Sequence, residues 1–176
     1  MKRGQFEHAI RAAGAVLGTR EVLVIGSQAL HASIDGELPI EAARSVEVDV
    51  AAMQGDPDGT KADLIDGSIG EASMFHSTFG YYAQGVVEST AQLPAGWRDR
   101  LVRFETPATT GVVAWCLEIH DLWVSKAIAG RPKDLEFCRA LIARDLVQGE
   151  RLRHRLAMVA GLDARVGTAV LALIPS

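Results

Sequence analysis

The chain has 176 residues, 48% of them hydrophobic and 23% charged, with a formal net charge of −4. A chain of that length buries a core without disulfide or metal staples, and its mild acidity argues against a general nucleic-acid coat protein. No apolar run approaches the ~18 residues of a membrane-spanning helix.

Residues 4–17 place Phe6, Ile10, Ala13 and Leu17 at helical spacing, with Gly18 as the stop and Gly14 as a weak point inside the run. The opening Met1-Lys2-Arg3 therefore leads into an amphipathic helix rather than an apolar leader, which points to the cytoplasm. Val22 to Ile25 is a continuous apolar run rich in β-branched residues, the pattern of a buried strand. It ends at Gly26-Ser27, and Gln28 to Ser33 then reads as helical. Asp35-Gly36 and Pro39 mark a loop, followed by a short helix around Ile40 to Arg44.

Val46-Glu47-Val48-Asp49-Val50 alternates strictly, which predicts a strand with valines on one face and carboxylates on the other. Gly55-Asp56-Pro57-Asp58-Gly59 is a turn, Ala62 to Ile65 is the clearest helical piece of 60–80, and Gly67-Ser68-Ile69-Gly70 reads as a second turn. Tyr81–Val87, Leu101–Glu105 and Gly111–Leu117 are expected strands. From Asp121, which is placed to cap it, a helix runs to Ala129 and stops at Gly130. Pro132 opens the next helix, with Leu135, Cys138, Leu141 and Ile142 on one side, and two more follow near 148–160 and 163–173. The expected architecture is α/β (α+β): a mixed sheet flanked by helices over residues 1–118, and a helical region over 119–176 packed on it.

Charge is distributed unevenly. Residues 35–71 hold ten acids against Arg44 and Lys61, whereas 131–155 hold seven Lys or Arg against four acids. Such a division suits a site with a cation-holding wall and a phosphate-holding wall, although charge runs alone favour the plainer reading of two solvated helix faces. Cys116 and Cys138, without CxxC spacing, read as buried free thiols of a reducing compartment. The five histidines lack metal-ligand spacing, and Ser27 has no evident His/Asp partner for hydrolase chemistry. His76, with Phe75, Phe79, Tyr81 and Tyr82, forms an aromatic tract suited either to core packing or to stacking a base. Trp97, Trp115 and Trp123 read as packing residues.

Carboxylates at i and i+2 of a strand share a face about 7 Å apart. Their repulsion is relieved by a divalent cation, and magnesium (or manganese) takes such hard oxygens together with substrate phosphates. A strand that ends in Gly-Ser offers backbone N–H groups and a hydroxyl to an anion, and glycine permits close approach. Glu47 and Asp49 are thus candidate metal ligands, and Gly26 and Ser27 candidate phosphate-binding residues.

In this order, Ile25, Gly26, Ser27, Glu47, Val48, Asp49 and Val50 resemble the motif of the nucleotidyltransferase superfamily of the DNA polymerase β type. Asp121-Leu122, Lys126, Ala129-Gly130-Arg131, Lys133-Asp134 and Leu141 are similar to the signature of minimal nucleotidyltransferases grouped with abortive-infection toxins. They also resemble a related uncharacterised family, as do Asp66 to Glu71, Phe79 to Tyr82 and Leu93 to Trp97. The likeness spans roughly residues 20–160. It implies nucleotide binding by Gly26, Ser27, Lys126 and Arg131, and magnesium on Glu47 and Asp49. It also implies catalytic roles for Asp49, Glu47, Lys126 and Asp134. A nucleoside triphosphate would be the donor, a tRNA 3′ end or a protein hydroxyl the acceptor, and an antitoxin protein the partner. Three departures stand out: a spacer of 19 residues between Ser27 and Glu47, Glu at the first metal position, and an unassigned third carboxylate. Glu105 is the strand candidate for that third acid; otherwise Asp134 or nothing fills it. A non-catalytic, nucleotidyltransferase-like binding module is the alternative reading.

Overall fold

The computed structural model describes residues 1–175. Its five strands are β1 (Glu21–Val24), β2 (Glu47–Ala52), β3 (Tyr82–Gly85), β4 (Val102–Phe104) and β5 (Val113–Cys116). They form one mixed sheet in the order β3-β2-β1-β5-β4. β1 runs antiparallel to β2 and parallel to β5, β2 parallel to β3, and β4 antiparallel to β5. Val22, Leu23 and Val24 are wholly buried, as a central strand covered on both faces requires. β2 alternates as predicted: Val48 and Val50 are wholly buried, while Glu47 and Asp49 are half-buried on the opposite face. Mixed sheet and flanking helices are as the sequence predicts.

Helix α1 (Arg3–Leu17) buries Phe6, Ala9, Ile10, Ala13 and Gly14 and ends at Gly18 in the left-handed conformation. After Ser27 the chain forms a six-residue 3₁₀ segment, Ser27–Ala32, in place of the expected α-helix. Its Gln28 side chain is buried and donates to Ala42 O of α2 (Ile40–Ala43) at 2.9 Å, anchoring the spacer to the core. Helix α3 (Thr60–Ile69) packs on β3 and includes Gly67-Ser68-Ile69, so that tract is a last helical turn rather than a loop. Ser73 and Gly80 bracket α4 (Met74–Phe79). Expected strands shorten where other geometry intervenes. β3 gives way to a 3₁₀ turn at Glu88–Thr90, and left-handed Thr110 and Gly111 delay β5.

The C-terminal third is helical: α5 (Ile119–Ala129), α6 (Pro132–Ala143), α7 (Gly149–Ala157) and α8 (Ala164–Leu171). α5 is the central one, with Leu122, Trp123 and Val124 wholly buried against α6, α7 and α8. Its cap is Glu118, which accepts from the His120 and Asp121 N–H groups. Asp121, expected in that role, is instead wholly buried between Arg100 and Arg155, at 2.8 and 3.1 Å. On α6 the inward residues are Asp134, Phe137, Cys138 and Leu141, with Leu135 and Ile142 at the margin. Cys116 and Cys138 are buried free thiols. Among the described residues no helix is long and apolar enough to cross a membrane.

Candidate functional site

The register of β1 and β2 fixes the first half of the site. Val24 pairs with Val50, and the Ile25 N–H donates to Asp49 O at 3.3 Å, so Gly26 lies directly beside Asp49. Gly26 is extended (φ −96°, ψ −172°), a conformation open to any residue. What demands glycine is space, because a Cβ at this position would stand 1.5 Å from Asp49 Oδ2. The sequence reading assigned this glycine to the approach of a phosphate. The structure gives it a second duty, making room for the carboxylate.

Glu47 is held on both sides. Its Oε2 accepts from the Tyr82 hydroxyl at 3.1 Å, and its Oε1 lies 3.7 Å from Lys133 Nζ. Burial, and then the Glu47 carboxylate, push the Tyr82 hydroxyl up to about 12. Asp49 is raised above the ordinary carboxylate range, chiefly by burial and with Glu47 adding to it. Lys126, Lys133 and Arg131 pull it the other way without cancelling that burial. Asp49 is therefore a carboxylate whose charge asks for more positive compensation than its neighbours supply.

The second half comes from the α5–α6 junction. Gly130 adopts φ 65°, which ends α5 and lets Pro132 open α6 at once. That break brings Lys126 and Arg131 onto one carboxylate. Lys126 Nζ lies 3.2 Å from Asp134 Oδ1, and Arg131 Nε 2.5 Å from Asp134 Oδ2. Asp134 is only 2% exposed. Burial pushes it up, but the hydrogen bonds and charges of Arg131 and Lys126 outweigh this and hold it below the usual carboxylate range. The Arg131 guanidinium is raised in turn by Asp134.

Gly26, Ser27, Glu47, Asp49, Lys126, Arg131 and Asp134 all line one of two adjoining clefts that share Lys126. Ser27, Glu47 and Asp134 line one; Gly26, Asp49 and Arg131 line the other. The sequence reading missed Arg44, Ser45 and Lys133 in the first cleft and Gln84 in the second. Lys133 was signalled only as the neighbour of Asp134. Gln84 enters through the parallel pairing of β2 and β3, which sets it opposite Asp49.

Of the alternatives left open for a third acid, neither Glu105 nor Asp134 stands free beside Glu47 and Asp49. Glu105 follows β4 at the far edge of the sheet, exposed and paired with Arg103. The strand beside β2 presents the amide of Gln84, and Asp134 is committed to its two cations. Among the described residues no group of three or more His, Cys, Asp or Glu side chains converges to hold a metal ion. Glu47 and Asp49 alone could serve as hard donors, and such a pair would suit a magnesium ion completed by water and phosphate oxygens rather than an all-protein cage.

The aromatic tract divides. Phe75, Phe79 and Tyr81 pack around His8 of α1, while Tyr82 turns to Glu47. Trp123 is wholly buried, its indole N–H donating to Cys138 O at 3.0 Å.

A family model described as a nucleotidyltransferase of unknown function matches residues 6–165. No curated protein and no solved structure matches.

Proposed function

The chain belongs to this nucleotidyltransferase family, and from that membership we propose that it moves a nucleoside monophosphate from a nucleoside triphosphate to an acceptor hydroxyl. The observation that carries the proposal is the meeting of Gly26, Ser27, Glu47 and Asp49 at one end of the sheet with Lys126 and Arg131 from the helical third. Glu47 and Asp49 would hold a divalent cation, magnesium or manganese, which when bound supplies charge neutralisation for the carboxylates and the phosphates.

The chain's own groups do the rest. Gly26 and Ser27 seat the phosphates, and Ser27 contributes its hydroxyl. Lys126 stands where the two clefts join and offsets charge that develops on the transferring phosphoryl group. Asp134 positions Lys126 and Arg131 through the ion pairs described above. The acceptor oxygen bonds to the α-phosphorus, the bond from that phosphorus to the bridging oxygen breaks, and pyrophosphate leaves with the electron pair. The hydroxyl proton passes to solvent.

The toxin-like resemblance favours a tRNA 3′ end or a protein hydroxyl as acceptor, with an antitoxin as partner. A cytoplasmic setting agrees with two cysteines kept as free thiols. The specific observation behind the second reading, a non-catalytic binding module, is Gln84 standing beside Asp49 with no third acid. Incubating the protein with labelled nucleoside triphosphates, magnesium, total RNA and total protein tests the proposal. Label in RNA or protein is expected. No label, together with no nucleotide binding, overturns transfer, whereas binding without label supports the module.

A further inference from the structure

The 19-residue spacer between Ser27 and Glu47 does more than connect two strands. It folds through the 3₁₀ segment and α2 and sets Arg44, the residue that closes α2, together with Ser45 on the wall of the Ser27 cleft. Lys126 from α5 and Lys133 from α6 reach the same cleft. Three cations from three separate elements therefore border two hydroxyls, those of Ser27 and Ser45.

Glu41, Glu47 and Asp134 line the same cleft, and Glu41 keeps one buried carboxylate oxygen without a partner, so what distinguishes Arg44 and Lys133 is how loosely their own acids hold them. Asp134 is buried and committed to Lys126 and Arg131. Arg44 pairs with Glu136, but the two side chains are 53% and 51% exposed. Lys133 is 59% exposed and sits 3.7 Å from Glu47. Pairs this exposed are held weakly, because water screens them and two long side chains must be ordered to make them. Arg44 and Lys133 can therefore exchange their carboxylates for phosphate oxygens at little cost. A guanidinium fork suits a phosphate through two parallel hydrogen bonds, and a lysine supplies a compact charge beside it.

We propose that Arg44 and Lys133 form a polyphosphate subsite that grips the two phosphates destined to leave as pyrophosphate. The spacer then sets the preference for a triphosphate over a monophosphate. This rests on the nucleotidyl-transfer reading and adds to it which wall receives the phosphate tail.

Isothermal titration of the full chain tests it, using inorganic tripolyphosphate, a non-hydrolysable nucleoside triphosphate and a nucleoside monophosphate, each with magnesium. Arg44→Ala should weaken binding of the first two by about tenfold, the worth of one charge-assisted contact, and leave the monophosphate unchanged. Glu136→Gln frees Arg44 and should bind tripolyphosphate at least as tightly as wild type; a merely structural Arg44–Glu136 pair would weaken binding in both variants. Arg139→Ala, an exposed cation of α6 outside the cleft, controls for general charge. Tripolyphosphate binding by Arg44→Ala equal to that of wild type overturns the subsite while any observed transfer still stands. Arg44-dependent tripolyphosphate binding without transfer supports the subsite and removes the reaction. Wild type that binds neither polyphosphate nor triphosphate overturns both.

Discussion

Gly26 shows how a single residue can serve the site through the space it leaves for a neighbour as well as through the ligand it faces. Its backbone is ordinary, yet a methyl group there would drive into the Asp49 carboxylate. Gly26→Ala should therefore fold, with the loss concentrated in Asp49's position. The melting temperature should fall modestly, while nucleotide binding drops by more than about tenfold, because such sites are sensitive to ångström misplacement. Unchanged nucleotide binding would mean that Asp49 is not where the phosphates or their cation sit. The sequence showed Gly-Ser after a strand but not this contact, because the contact depends on the antiparallel register between β1 and β2. Asp49 itself was legible from the Glu-Val-Asp alternation. That burial raises it, with Lys126 too little to compensate, needed the helical third in place.

Among the elements, a buried acid in the first turn of α5 ties the helical third to the segment that leads into β4. Asp121, in the first turn of α5, is wholly buried and pairs with both Arg100, the last residue of the 3₁₀ turn Trp97–Arg100 before β4, and Arg155 of α7. Removing one partner of such a cluster leaves buried charge undercompensated. Arg100→Ala should lower unfolding free energy by about 3 kcal/mol, read by urea denaturation. A change within experimental error would show that Arg155 alone satisfies Asp121. The helix and its glycine stop were legible in the sequence, but the cap was not: Asp121 was the expected residue. Glu118, three residues earlier, takes that role because its side chain reaches the His120 and Asp121 N–H groups. A run containing both acids does not reveal which is turned inward. Strands β1 and β2 were legible because continuous burial and strict alternation are local patterns. α4 and the ends of β3, β4 and β5 were not, since turns and sheet pairing set them.

For the whole molecule, the uneven charge along the chain becomes contact in space. The acid-rich segment faces the basic one across the Ser27 cleft, where Arg44 meets Glu136 and Lys133 meets Glu47. A buried histidine of the core makes the fold's stability depend on pH. His31 is buried, stacked on Phe6 with ring centroids 4.8 Å apart, and burial lowers it from 6.5 to about 4. Between those values the unfolded chain takes up a proton that the folded chain refuses. Stability contributed by neutral His31 is therefore present above pH 6.5 and lost as pH falls toward 4. That loss should reach about 3 kcal/mol. Urea unfolding of His31→Leu against wild type across this range should show the variant's stability falling less steeply, whereas parallel curves would contradict the assignment.

On the proposed reading, Glu47 and Asp49, facing Lys126 across the end of the sheet, form the site of nucleotidyl transfer. Acceptor-dependent pyrophosphate release tests it most directly, measured for wild type and Asp49→Asn with magnesium, nucleoside triphosphate and total RNA or protein. Wild type should release pyrophosphate in step with acceptor labelling, and Asp49→Asn should lose at least about a hundredfold of that rate with its melting temperature retained. Pyrophosphate release by Asp49→Asn at the wild-type rate, or none from wild type under any acceptor, would contradict it.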